Sequence, residues 1–223
     1  MIHGHSICKI YPMSPSEKVE LDKFTDEHLA SGRIRKSISP IAASFFYGDK
    51  KDGGLRPIQD YGRINSMTIK DSWPLPVIHN VINKIQGAKF FSKFDVRWWF
   101  NNVRIKEGDE WKAACICDRG LFEPLVMFFG LCNSPATFQH MMDNIFEDLI
   151  RQNKIIVYLD NILIFSNTIE EHREITREVL RRVRENKLFL KLKKCKFEQT
   201  TMNFLRMVVG NRQVMIRVGH GCG

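Results

Sequence analysis

Ile155-Ile156-Val157-Tyr158-Leu159-Asp160-Asn161-Ile162-Leu163-Ile164-Phe165-Ser166 holds two apolar runs around a polar centre. Ile155–Tyr158 and Ile162–Phe165 each have the length of a short buried strand. Leu159-Asp160-Asn161 between them is a natural tight turn, because Asp and Asn bond nearby backbone and tolerate left-handed angles. The stretch reads as a β-hairpin with a carboxylate at its tip. A charge beside buried strands is costly unless it is paired or metal-bound. By itself the hairpin is ordinary turn chemistry.

A second acidic residue changes that reading. Phe90–Val96 is an apolar run of strand length that closes on Asp95. If the two strands are neighbours in one sheet, Asp95 and Asp160 meet at one edge. Magnesium prefers oxygen ligands and keeps water and substrate phosphates, so a carboxylate pair suits it. Two such ions clamp the attacking and leaving oxygens of a phosphoryl transfer.

The flanking elements are helices and antiparallel hairpins. Ser14-Pro15-Ser16-Glu17 is a capping box with Pro at the first helical position, and it predicts a helix to about Ala30. Residues 39–58 read as a hairpin turning at Asp52-Gly53-Gly54. Ile78, Val81, Ile82 and Ile85 form a helical stripe stopped by Gly87. Ala113–Cys117 and Gly120–Pro124 suggest another hairpin. Ser134-Pro135 opens a helix whose stripe is Phe138, Met141, Met142, Ile145, Phe146 and Leu149, a core-packing face. Thr168-Ile169-Glu170-Glu171 caps a helix to about Arg184. Leu188–Leu190, Phe197 and Met202–Val209 read as closing strands. This order predicts an α+β fold rather than a doubly wound sheet.

The chain has 223 residues, 43% of them hydrophobic and 26% charged, enough for a sizeable core and against disorder. Its formal net charge of +9 favours a polyanionic partner such as nucleic acid. Six cysteines occur without a C-x-x-C pair or the spacing of a disulfide scaffold. Cys115 and Cys117 would share one strand face as packing residues. A reducing, intracellular setting fits this usage, and neither a secretory leader nor a membrane-spanning run is expected.

Five blocks in order and spacing resemble the gypsy-like reverse transcriptases of LTR retrotransposons. They are Lys50-Lys51-Asp52-Gly53-Gly54-Leu55-Arg56-Pro57 with Asp60-Tyr61, then Trp73-Pro74-Leu75-Pro76, then Phe91-Ser92-Lys93-Phe94-Asp95-Val96-Arg97. Phe129-Gly130-Leu131-Cys132-Asn133-Ser134-Pro135-Ala136-Thr137-Phe138-Gln139 and Tyr158-Leu159-Asp160-Asn161-Ile162-Leu163-Ile164-Phe165-Ser166 complete the set. The resemblance covers about residues 10–210. It implies a polymerase right hand with an antiparallel palm sheet and packed helices, the thumb mostly missing. Fingers would take 1–70 and 103–133, palm 71–102 and 134–205, and 206–223 would be a truncated or aberrant tail.

The same resemblance implies the site. Asp95, Asp160 and Asn161 would be the catalytic positions, with Asp95, Asp160 and the Val96 carbonyl holding two magnesium ions, manganese being possible. Lys50, Lys51 and Arg56 would meet the nucleotide triphosphate, with Arg as a bidentate fork. Phe100 would crowd a ribose 2′-hydroxyl, and Phe129 and Gly130 would lie under base and sugar. Leu205 would lie at the primer grip. The basic run Arg177, Arg181, Arg182, Arg184, Lys187, Lys191, Lys193, Lys194 and Lys196 would track phosphates, part of it being a solvated helix face. Partners would be an RNA or DNA template with primer and deoxynucleoside triphosphates, in a cytoplasmic particle or the nucleus, with no membrane.

Several positions depart from the family pattern. Asn161 stands for a second Asp and removes a negative charge. Trp99 stands for a small residue, usually Gly, before Phe100, and its indole is expected to intrude on the nucleotide pocket or shift the backbone. Gly62 stands for Arg, and Arg206 for the Gly of Phe-Leu-Gly. The expected continuation is lost after Val209-Gly210, and ribonuclease H, protease and integrase parts are expected to be absent. These departures predict a weak or inactive polymerase. The alternatives are a non-catalytic nucleic-acid-binding remnant and an unstable product without a role.

Overall fold

A computed structural model of the chain describes residues 9–49, 53–205, 207–210 and 213–216. Lys50, Lys51, Asp52, Arg206 and the final residues 217–223 lie outside the described residues. The first elements are α1 (Pro15–Ala30), β1 (Ile34–Lys36), β2 (Ala43–Asp49), β3 (Leu55–Asp60), α2 (Gly62–Met67), α3 (Ile78–Ile85) and β4 (Phe90–Arg97). Then come β5 (Cys115–Cys117), β6 (Gly120–Pro124), α4 (Ser134–Ile145), α5 (Glu147–Arg151), β7 (Ile155–Tyr158) and β8 (Asn161–Ser166). The last are α6 (Ile169–Glu185), β9 (Phe189–Leu190), β10 (Lys196–Gln199), β11 (Thr201–Phe204), β12 (Met207–Gly210) and β13 (Gln213–Ile216). Two compact units divide the chain: Met1–Asp71 with Phe100–Pro135, and Ser72–Trp99 with Ala136–Gly223.

In the first unit the Ser14 box closes as expected. The Ser14 N–H donates to Glu17 Oε2 at 2.7 Å, and the Glu17 N–H donates back to Ser14 Oγ at 3.4 Å. Strands run in the order β1-β6-β5-β2-β3, all antiparallel except the β2–β5 pair. The expected hairpin forms, with Ser44 opposite Asp60 and Asp49 opposite Leu55. Leu21, Phe45, Tyr61, Phe122 and Phe128 share one core with Cys115 and Cys117. Both cysteines are free thiols, and burial pushes Cys115 up to about 12, so they pack rather than react.

In the second unit the order is β10-β4-β8-β7, antiparallel throughout, with β9 also on β4. Strand alternation sends Phe91, Leu163, Phe165 and Ile156 to one face. There they meet Val81 and Ile85 of α3 and Met202, Phe204, Met207 and Val209 of the β11-β12-β13 meander. Full burial of each such side chain contributes roughly 1.5–3 kcal/mol. Ser92 and Ser166 point to the opposite face, where both contact the buried His172 of α6.

The α+β class stands, and three local expectations change. The helix from Ser134 breaks at Phe146 (φ −115°, ψ 16°) into α4 and α5. The closing strand divides at Leu205, which takes φ +47°. Regular pairing continues where an aberrant tail was expected, with Met207 opposite Ile216 and Gly210 opposite Gln213. Gly210 has φ +146°, and a Cβ there would stand 2.5 Å from Thr201 Oγ1 and 2.6 Å from the Thr200 carbonyl, so only glycine fits. No helix among the described residues is long and apolar enough to cross a membrane.

Candidate active site

Asp95 and Asn161 are direct cross-strand partners on β4 and β8. Tyr158 pairs with Asn161, so Leu159 and Asp160 form the turn. The Val96 N–H donates to the Asp160 carbonyl at 2.7 Å. A strand residue's N–H and C=O leave by the same edge, so the Val96 carbonyl also faces the Asp160 side. The sheet thus brings Asp95, Val96, Asp160 and Asn161 together at one end. Leu159 holds φ +50°, a left-handed angle that costs a non-glycine residue roughly 1–2 kcal/mol.

The electrostatics of this end are unusual. Asp95 is buried, and its Oδ1 has no hydrogen-bond partner of acceptable geometry. The Lys191 ammonium nevertheless stands 2.9 Å from that oxygen, and the Lys194 ammonium 4.0 Å from Oδ2. These are Coulombic contacts rather than directed bonds. Burial and then the Asp95 charge push the Asp160 carboxyl above its usual range, while Lys191 and Lys194 pull it back. Asn161 Nδ2 donates to Asp160 Oδ1 at 2.8 Å. Asn161 therefore spends its amide on the Asp160 carboxylate. Two carboxylates face two ammonium groups, so the cluster is close to neutral.

The donors at this edge are hard oxygens. Among the described residues no group of three or more His, Cys, Asp and Glu could hold a metal by itself. Magnesium bound through one or two carboxylates, with water and phosphate, needs no such group. The buried Asp95 carboxylate beside Asp160 is the feature that fits, since its charge is compensated only by the ammonium groups of Lys191 and Lys194 among the ion pairs of the described residues.

In the first unit, Arg56, Phe100, Phe129 and Gly130 also come together. The Phe100 ring is buried and stands edge-on to Phe129 at 4.7 Å. The Arg56 guanidinium lies 5.7 Å from the centre of the half-exposed Phe129 ring. Gly130 takes φ +101°, and a Cβ there would meet the Gln59 carbonyl at 3.1 Å. Its carbonyl accepts from Asn65 Nδ2 at 2.7 Å. Lys50 and Lys51 lie outside the described residues.

Two further expectations shift. The Trp99 indole, expected to intrude on the nucleotide pocket or shift the backbone, packs edge-on against Phe138 at 5.2 Å, next to Trp98 at φ +49°. Part of the basic run is internally paired. Arg181 bonds Glu178 and Glu185, while Arg182 bonds Asp148, Glu178 and the Ile145 carbonyl. These bonds hold Asp148 and Glu178 down to about 2. They engage Arg181 and Arg182 as braces of α6. Lys191 is likewise engaged at Asp95. Sequence reading gave no role to Gln139, yet it is fully buried and bonds the turn. Its signals are its place at the end of the Phe129–Gln139 block and a polar side chain three residues before Met142, inside the apolar stripe of α4.

A family profile described as "Reverse transcriptase (RNA-dependent DNA polymerase)" matches residues 49–209. The Transposon Tf2-7 polyprotein of Schizosaccharomyces pombe is 34% identical over 195 residues, covering 87% of this chain and 15% of that polyprotein. The Tf2-3 polyprotein of the same yeast is 33% identical over the same shares. The chain thus spans about 15% of the length of the curated relatives it matches. The foamy viral protease-reverse transcriptase in complex with RNA/DNA hybrid superposes with a TM-score of 0.85 at 20% identity, covering 95% of this chain and 28% of that one. The same viral protein in complex with dsDNA gives 0.86 at 20% identity, covering 98% and 45%.

Proposed function

Because the chain belongs to the reverse transcriptase (RNA-dependent DNA polymerase) family, we propose that it is the fingers and palm of an LTR-retrotransposon polymerase, with a weakened active site. The first unit is read as fingers and the second as palm. The observation that carries the reading is the buried Asp95 carboxylate beside the Asp160 turn, at one end of the β4–β8 ladder. Asp95, Asp160 and the Val96 carbonyl are the residues to hold magnesium or manganese. A bound divalent ion would stabilise charge on the attacking and leaving oxygens of nucleotidyl transfer. Arg56, with Lys50 and Lys51, serves the triphosphate of the incoming deoxynucleotide. Phe100 crowds the 2′-hydroxyl of a ribonucleotide, and Phe129 with Gly130 shapes the floor beneath base and sugar. Partners are a primer on an RNA or DNA template, in an intracellular setting. Protease, ribonuclease H and integrase functions belong to other parts of such a polyprotein.

The weakness follows from Asn161, which brings no charge and donates to Asp160, and from two lysines at Asp95. The same facts support a second reading, a nucleic-acid-binding remnant without turnover. Primer extension separates the two. The chain is expected to extend a primer poorly with magnesium and better with manganese, and Asn161→Asp with Trp99→Gly is expected to raise extension at least tenfold. Binding without extension by both parent and double variant favours the remnant. Robust processive synthesis by the parent contradicts the weakened site.

A further inference from the structure

We infer that Gln139, Asp143 and Trp73 form a positioning strut that sets the left-handed turn carrying Asp160, an inference that deepens the polymerase reading and rests on it for its functional consequence. Leu159 sits at φ +50° beside Asp160, and no glycine relieves that angle. Something must hold the turn in place. The Gln139 side chain, 0% exposed, does so from α4. Its Oε1 accepts the Leu159 N–H at 2.8 Å, and its Nε2 donates to the Val157 carbonyl at 3.1 Å. One amide thus grips the last part of β7 and the first turn residue.

An amide alone does not know which way to face. Its oxygen and nitrogen ends are nearly the same size, and a flipped Gln139 would set NH2 against the Leu159 N–H and oxygen against the Val157 carbonyl. Leu159 and Val157 already oppose that flip, and Asp143 adds a third contact that holds the same direction. Gln139 Nε2 donates its second hydrogen to Asp143 Oδ1 at 2.8 Å, and an ionised carboxylate accepts only. Asp143 is fixed in turn by Trp73, whose Nε1–H donates to Oδ2 at 2.9 Å. The Trp73 indole stacks on His140 with centroids 3.8 Å apart and planes 17° from parallel. Gln139, His140 and Asp143 are all on α4, so one helix carries the grip, its orienting charge and the stacking partner of the tryptophan. The donors run one way, Trp73 to Asp143 and Gln139 to Asp143, which leaves the Gln139 oxygen for Leu159. None of the three needs to touch substrate. They act through the turn.

The test is amide hydrogen exchange at Leu159 in the whole metal-free chain, followed beside amides of the β4–β8 ladder. This readout requires neither metal, primer nor turnover, so it stands or falls apart from the polymerase reading, which primer extension tests. Gln139→Met keeps the volume and removes the grip, and Leu159 exchange is expected to rise at least tenfold while the β4–β8 ladder stays protected. Trp73→Phe keeps the ring and loses the donor, with a smaller rise in the same place. Gln139→Glu sets two carboxylates together and is expected to expose Leu159. Adding Asp143→Asn gives the new carboxylate a donor while the Asn oxygen still accepts from Trp73; the Val157 carbonyl stays without its donor, so the expected rescue is partial. Rescue of Leu159 protection in that double variant is a result that a merely space-filling role does not produce. Unchanged Leu159 exchange in Gln139→Met overturns the inference. So does a double variant no better protected than Gln139→Glu, and that pair decides the matter if the Met variant fails to fold.

Discussion

An ammonium stands 2.9 Å from Asp95 Oδ1 and would compete with a divalent ion held by that carboxylate. Lys191→Met removes the competitor and leaves the buried carboxylate uncompensated. Manganese affinity is expected to rise about tenfold, or about 1.4 kcal/mol, and the metal-free variant to unfold at lower denaturant than the parent. Electron paramagnetic resonance of free manganese checks the first effect. Unchanged or weaker binding would show that Lys191 does not compete. His172 makes a second prediction. Its Nδ1–H donates to Ser166, whose hydroxyl is committed to the Thr168 carbonyl, and its Nε2 accepts from Ser92. Burial lowers its pKa, opposed by Glu198 of β10 and Glu171 of α6. Above the unfolded value of 6.5 both states are neutral and stability is full. As pH falls through 6.5 and down to the folded value, the unfolded chain takes up the proton first and stability is lost. The drop in urea midpoint between about pH 7.5 and 5.5 is expected to shrink in His172→Gln. Equal drops in both proteins would exclude His172. At this scale Asp95 and Asp160 were legible because an acid at the end of an apolar run is anomalous. Lys191 and His172 were not, since Asp95 and Ser92 reach them only through strand pairing distant in sequence.

Elements were legible where local chemistry sufficed. Ser14 and Glu17 mark the start of α1 by bonds that close within three residues. The β7–β8 hairpin followed from two apolar runs around Leu159-Asp160-Asn161, although Asn161 opens β8 and leaves a two-residue turn. The break at Phe146 and the division at Leu205 were hidden, because neither position carries Gly or Pro. β1, with three residues, is too short to show a period, and β13 lies beyond the family pattern. The meander provides the sharpest test of an element. Gly210→Ala places a methyl group against the Thr200 carbonyl at a left-handed angle. Strain of that kind costs roughly 1–3 kcal/mol and should lower the unfolding midpoint accordingly. A neutral Gly210→Ala would mean that β11 and β12 pair differently.

For the whole molecule, the net charge of +9 is the property that composition alone made plain. A chain that meets phosphates through Lys and Arg loses affinity with salt at roughly 0.9 log units per log unit for each phosphate neutralised on duplex DNA. Anisotropy titrations with a primer–template duplex are expected to show a steep salt slope that Asp95→Asn leaves unchanged, because that carboxylate is no phosphate ligand. A flat slope would remove the nucleic-acid reading. The α+β right-hand class was readable from five blocks in register. The near-neutral state of the acidic cluster was not, since it depends on lysines brought to Asp95 by the β4–β9 pairing. In the proposed polymerase, Asp95 and Asp160 together hold a divalent ion. Titration of the intact chain with manganese tests it most directly. Saturable binding is predicted for the parent, with at least a tenfold loss in both Asp95→Asn and Asp160→Asn. Equal binding by the parent and both variants would contradict it.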